Sequence, residues 1–291
     1  MPLPSTKLIE DVTVNLLRVA VTTLPDDVLG ALREAEREET SEVAQTQLRT
    51  ILENVEAAGR LSLPMCQDTG MSIFFVSGKC LPNLEDGIRR GVKRATTEVP
   101  LRPNAVHPIT RHNPGDNIGM HVPIIHYEYS DNDFTQITVM PKGAGSENMS
   151  ALAMLTPSQG LKGVKRLVLD TVVSAGGRPC PPIIVGIGIG GSADQAMVLA
   201  KQALLRPLHI NNQDSQLATL ESDLKQALNL TGIGPMGLGG KTTVLGVRIE
   251  EAYTHTASLP VAVCLQCWAA RRASARIAKD GSVQYSREGF W

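Results

Sequence analysis

Aromatic side chains are scarce in this chain: 291 residues contain two Trp, four Tyr and four Phe, too few for the stacking platforms on which single-stranded nucleic acid binds. A basic block is missing as well. Twenty-eight Lys and Arg stand against 29 Asp and Glu, for a net charge of −1 and a pI near 6.6, and no Lys/Arg stripe marks a phosphate-binding face. No apolar run reaches the roughly 18 residues that cross a bilayer; the longest, PPIIVGIGIGG and LPVAVCLQCWAA, fall well short. The opening MPLPSTKLIEDVTVNLL lacks a basic segment followed by an apolar one, so no secretory signal is read. Five cysteines, an odd number, do not make a disulfide framework, and scattered cysteine in a reducing compartment is more often metal-binding or catalytic. These absences argue against nucleic-acid and membrane partners and lead us to expect a cytoplasmic α/β protein.

What is present divides by style. Leu8, Val12, Val14, Leu17 and Val21 recur at near-helical spacing. Pro25-Asp26-Asp27 then starts a second helix, with Pro in the first turn and acids at the positive helix end, and a break is expected near Thr40-Ser41. From Leu61 the chain alternates loops with short apolar runs. MSIFFVSGK reads as a strand, 84–97 as a helix, and 98–119 as a long Pro/Asn/Gly-rich loop of the length that tends to carry function. Strands are expected at 120–129 and 133–141, a glycine turn at PKGAGSEN, and a helix at 159–176. PPIIVGIGI is a buried strand followed by a helix capped by Ser192. A helix over about 213–228, a loop leading to a strand in GIGPMGLGGKTTVLGVRIEEAY, and a last apolar strand, LPVAVCLQCW, complete the pass. With no repeat and no linker composition, we expect one mixed α/β (α+β) domain across 1–291. Residues 1–60 would form a helical layer packed on a mixed-sheet core, 61–291, that carries the chemistry.

Three cysteines sit in unlike settings: Cys66 in PMCQDTG, Cys180 in RPCPPIIVG and Cys267 in LQCWAARR. Separations of 114 and 87 residues rule out a local loop. If the fold gathers them, three thiolates hold an iron–sulfur cluster and leave one iron open; by residue type alone they are equally at home as core cysteines. Gln67 and Asp68 follow Cys66 directly. Arg102 lies in the long loop, where a guanidinium can clamp a carboxylate. Lys142-Gly143-Ala144-Gly145-Ser146 offers backbone N–H groups for an anion, and His255 stands in a polar turn before Cys267. Together these residues describe a positive, hydrogen-bonding pocket for a small dicarboxylate. His107, His112, His121, His126 and His209 lack metal-type pairing and are read as structural.

Two patterns imitate nucleotide sites. GIGIGG at 186–191 follows a strand and precedes a helix, as a dinucleotide fold requires, but no acid for a ribose follows about 20 residues on. GPMGLGGKTT resembles a phosphate loop, yet Pro235 stands where its first glycine is needed. The GIGIGG glycines are read as letting backbone approach closely, just after Cys180, and no phosphate binding is expected of GPMGLGGKTT.

CQDTG, LRPNAVHPITRHNPGDN, PKGAGSEN, CPPIIVGIGIGGSADQAMVLAKQALLRP, GPMGLGGKTTVLGVRIEEAYTHTASLPVAV and CWAARR, taken in order, resemble the α-subunit of class I iron–sulfur fumarate hydratases, a family that includes L(+)-tartrate dehydratase. The resemblance runs from about residue 10 to about residue 275. It implies that Cys66, Cys180 and Cys267 bind a [4Fe–4S] cluster, with Cys80 and Cys264 structural. It further implies that Gln67, Arg102, Gly143 and Gly145 contact the substrate carboxylate, and that Asp68 and His255 assist proton movement. The implied activity is reversible hydration of fumarate to (S)-malate. The SENMS and HTASLPVAV stretches resemble fumarases more than tartrate dehydratases; tartrate dehydration to oxaloacetate is the nearest alternative, then mesaconate hydration. Single-chain members of the family continue well beyond the point where this chain stops, so the resemblance implies a separate β-subunit completing the site in an α2β2 assembly. Readings of another class are a cluster scaffold that only binds its partner, and a nicotinamide oxidoreductase built on GIGIGG.

Overall fold

Capping and apolar spacing produce the elements in order, as seen in a computed structural model that describes residues 4–79 and 81–286. Cys80 lies outside the described residues. The helices are α1 Thr6–Thr22, α2 Asp26–Glu38, α3 Glu42–Leu61, α4 Leu84–Glu98, α5 Ala144–Glu147, α6 Gly160–Ala175, α7 Ala193–Ala203 and α8 Ser215–Asn229. The strands are β1 Met71–Gly78, β2 Ile124–Tyr129, β3 Phe134–Lys142, β4 Ala151–Leu155, β5 Ile183–Gly190, β6 Val244–Ala252, β7 Leu259–Gln266, β8 Ala273–Ala278 and β9 Val283–Ser286. The fold is therefore mixed α/β, with strands in two sheets ordered β2-β1-β3-β8-β9 and β4-β7-β5-β6. The chain clusters into two compact units, each built from separated segments: 1–26, 54–144 and 271–291 in the first, 27–53 and 145–270 in the second.

In the first unit β1 pairs parallel with β2 and antiparallel with β3, and β8 extends the sheet beyond β3. Helix α1 starts at Ser5, whose hydroxyl accepts the Leu8 N–H at 3.2 Å, a cap of about 1 kcal/mol. Its buried stripe of Ile9, Val12, Leu16, Leu17 and Ala20 joins Ile88, Val92 and Ala95 of α4 and Phe74, Ile137, Val139 and Ala275 of the sheet in one core. β1 and β3, both expected as strands, are buried along most of their length, while β8 and β9 emerge from a tail for which no strand was expected.

The second unit packs its sheet on both faces. Val164, Val168 and Val172 of α6 and Leu220, Leu224 and Leu228 of α8 meet Val185, Ile187, Val261, Val263 and Leu265 on one side. Ala196, Ala200 and Ala203 of α7 are fully buried. Edge strand β6 is shielded by side chains. Glu221 accepts the Ile249 N–H at 2.8 Å, and Arg206, ion-paired to Glu221, donates to the Ile249 carbonyl at 3.1 Å. Bare edges invite pairing with other chains, and these side chains occupy the groups that would do it.

The glycine run is explained here. A Cβ on Gly188 would overlap the carbonyl oxygen of Ala196, and one on Gly186 that of Ala200. Helix α7 therefore lies directly against the β5 backbone, which only glycine permits. The expected Ser192 cap is altered: Ser192 does stand at the N-cap, but it makes no side-chain cap bond, and its hydroxyl pairs with the Asp194 carboxylate instead. The phosphate-loop imitation is answered as well. The Lys241 N–H, which such a loop would aim at phosphate, donates to Glu39 Oε2 at 2.8 Å.

Candidate active site

The first unit builds its polar site around one carboxylate. Asp68 ends the tight turn after Cys66, and its Oδ1 accepts the Gly70 N–H at 3.0 Å and Asn104 Nδ2 at 3.3 Å. Its Oδ2 accepts the Ala144 N–H at 2.7 Å. The glycine turn after β3 thus does receive an anion, and that anion is Asp68 of the same chain. Gly143 is small for a reason: a Cβ there would lie 3.1 Å from Asp68 Oδ2.

Arg102 is carried to this turn by its backbone. Its N–H donates to Thr69 Oγ1 at 3.0 Å, and its carbonyl accepts Asn117 Nδ2 at 3.0 Å. Asn117 Oδ1 in turn accepts the Asn104 N–H at 2.7 Å and the Ala105 N–H at 3.2 Å. Thr69 and Asn117 are both buried, so the root of the long loop is a closed hydrogen-bond network, while the Arg102 and Gln67 side chains remain exposed. The tip of the loop organises itself. His107 Nδ1 accepts the N–H groups of Ile109 and Thr110, and the His107 N–H donates to the His112 carbonyl at 2.8 Å, which fits the structural reading of those histidines. Thr69, Asn104 and Asn117 were missed from sequence. The only signal was their place inside the long loop and the turn, because hydrogen-bond networks have no periodicity.

The second unit places the other two candidate thiols. Cys180 has a left-handed backbone, φ +56°, and its carbonyl accepts the Trp268 N–H at 3.2 Å. This one bond joins the segment before β5 to the segment after β7, so Cys180 and Cys267 come from adjacent loops at one end of the sheet. Both are partly exposed, whereas Cys264, in the middle of β7, is fully buried. Gly145 belongs to the same end: a Cβ there would lie 3.1 Å from the Arg178 carbonyl. His255 does not. Its turn hangs from the other end of β5, where Thr254 Oγ1 donates to the Gly191 carbonyl at 2.9 Å, and eight strand residues at about 3.3 Å each separate it from Cys180 and Cys267. The exposed His255 ring accepts the Ala257 N–H at 3.1 Å.

The first unit holds a fixed carboxylate with amide donors, and the second holds half-exposed thiols on loop ends. Comparison with known proteins identifies the class. The chain belongs to the fumarate hydratase (Fumerase) family, whose model matches residues 10–276, and by that membership it is a hydro-lyase. It is similar to a Methanocaldococcus jannaschii protein provisionally named L(+)-tartrate dehydratase subunit alpha, at 51% identity over 94% of this chain and 99% of that one. It is also similar to the L(+)-tartrate dehydratase subunit alpha of Escherichia coli strain K12, at 36% identity over 93% of this chain and 91% of that one, and to its Shigella sonnei counterpart at the same values.

The donor set fits an iron–sulfur cluster by its chemistry. Thiolates are the soft ligands such clusters take, and Cys66, Cys180 and Cys267 are each partly exposed on loops instead of being packed away as Cys264 is. Among the described residues no three His, Cys, Asp or Glu side chains converge to hold a single metal ion. A four-iron cluster does not ask for that convergence, because its three thiolates bind three different irons. Among the described residues no helix is long and apolar enough to cross a membrane.

Proposed function

We propose that this chain is the α-subunit of a two-subunit iron–sulfur hydro-lyase that eliminates water from a four-carbon 2-hydroxydicarboxylate, with (S)-malate and fumarate as the first pair to test. The observation that carries this reading is the Asp68 carboxylate, held by the Gly70 and Ala144 N–H groups two residues after Cys66. Cys66, Cys180 and Cys267 would hold a [4Fe–4S] cluster, which supplies a Lewis-acid iron for the substrate hydroxyl when bound. The chain's own residues do the remaining work. The Arg102 guanidinium, with Gln67 and the Gly143–Gly145 turn, binds a substrate carboxylate and stabilises the charge that builds on it as the neighbouring C–H proton leaves. Asp68, fixed by its amide donors, orients the reacting hydroxyl and passes a proton to it as water leaves, and takes that proton from the attacking water in the hydration direction. His255 stands a strand's length from Cys180 and Cys267, so the reading gives it a proton-handling role only in a site completed by another chain.

The relatives' names support a companion β-subunit, and they also favour a second reading in which L(+)-tartrate is the substrate and oxaloacetate the product. The experiment is anaerobic co-purification with the companion subunit, iron and sulfide analysis, and kcat/KM on malate, fumarate and L(+)-tartrate. Cluster content that falls when Cys66, Cys180 or Cys267 becomes serine, but not when Cys264 does, supports the ligand set. Full turnover by a cluster-free complex would sink it.

A further inference from the structure

Arg271 is among the most buried large side chains of the molecule, 1% exposed. Its Nη1 donates to the Asp68 carbonyl at 2.8 Å. Its Nη2 lies 3.6 Å from the point where a Gly143 Cβ would be, the same point that is 3.1 Å from Asp68 Oδ2. Its Nε finds no hydrogen-bond partner among the described residues. Taking a guanidinium out of water is costly, and one hydrogen bond to a carbonyl offsets only part of that cost. A merely stable core would hold an apolar residue here. The guanidinium instead stands under the Cys66–Gly70 turn, in contact with its backbone, and beside the glycine that approaches the Asp68 carboxylate.

We propose that Arg271 is a positioning residue for the hydro-lyase reaction: it locks the Asp68 turn so that the carboxylate stays seated between the Gly70 and Ala144 N–H groups. The inference rests on the reading of Asp68 given above. Arginine suits the task because its planar fork presents several donors in fixed directions, which an ammonium cannot copy. A loosened turn misplaces the carboxylate, and a displacement of about 1 Å at a reacting group can cost about 100-fold in rate.

The test uses the complex of this chain with its companion subunit, loaded anaerobically. In Arg271→Ala, kcat should fall about 100-fold while KM moves by less than about threefold, and millimolar guanidinium should restore part of kcat. Hydrogen exchange at the Gly70 and Ala144 amides should quicken, with the amides of β1 and β3 unchanged. Arg271→Lys keeps a buried charge and serves if the alanine variant does not fold; it should show the same exchange pattern and most of the kcat loss. Wild-type kcat and unchanged exchange in either variant would overturn the proposal. So would a loss of kcat that only follows global melting and ignores guanidinium. Should the wild-type complex act on none of the three acids, the reading of the function fails, while exchange at Gly70 and Ala144 still decides whether Arg271 locks the turn.

Discussion

The two units put glycine and charge to opposite uses. In the first, polar groups converge on a turn, and Gly143 leaves room for a carboxylate to approach the backbone. In the second, Gly186 and Gly188 leave room for a helix to lie on a strand, and the buried charges Arg206 and Glu221 cover a sheet edge. Close backbone approach is common to both, but what approaches is a single carboxylate in one and a whole helix in the other. A glycine-rich or charge-rich stretch therefore carries no function by itself; its partner decides.

Variants can break this comparison. The largest effect is expected at Asp68. Asp68→Asn should lower kcat of the assembled enzyme by 10²–10⁴-fold, the usual range for a lost acid–base group, with little change in melting temperature. A variant that melts early with kcat per folded molecule intact would place Asp68 with the structural charges. Glu221→Ala should do the reverse, costing about 3 kcal/mol of stability by taking the buried carboxylate from both Arg206 and Arg248 and leaving Arg206 only its pair with Glu250, as read from denaturant melts, while turnover of the folded fraction persists. Gly188→Ala forces a methyl into the Ala196 carbonyl and should cost about 1–3 kcal/mol; an unchanged melt would show that α7 can shift away from β5.

The smallest effect sharpens the comparison through pH. Burial pushes the Glu39 carboxyl up, but N–H bonds from Ser41, Lys241 and Thr40 outweigh it and leave the group below its ordinary value. A lowered carboxyl stabilises the fold above its unfolded value, near pH 4.3, and that contribution is lost as pH falls through the folded value. Wild type should therefore exceed Glu39→Gln by about 1–2 kcal/mol at pH 7, and the gap should close below about pH 4. A gap independent of pH would mean that packing, not the charge, holds Lys241.

Much of this was readable in the chain. The helix start at Pro25-Asp26, the break after Glu38, the β1 strand and the unstructured long loop all appear as expected, because local propensity and capping dominate there. The close backbone approach expected at GIGIGG is seen, although the Ala196 and Ala200 carbonyls that make it could not be named. β4, β8 and β9 escaped notice because short strands of Ala, Ser and Met carry weak alternation. Division into two units was not visible in composition either, since its boundaries fall at the start of α2, inside α3, inside α5 and between β7 and β8, where no linker composition marks them.

Family membership and the order of the longer helices and strands follow from the sequence by itself, since ordered motifs and side-chain periodicity are properties of neighbours along the chain. The tertiary structure alone decided that the amide of Ala144 is given to Asp68 across 76 residues, and that Arg271 reaches the same turn across 203. Such bonds depend on how distant segments close on one another in three dimensions, and nothing in the local pattern around Asp68, Ala144 or Arg271 encodes which partner each will meet.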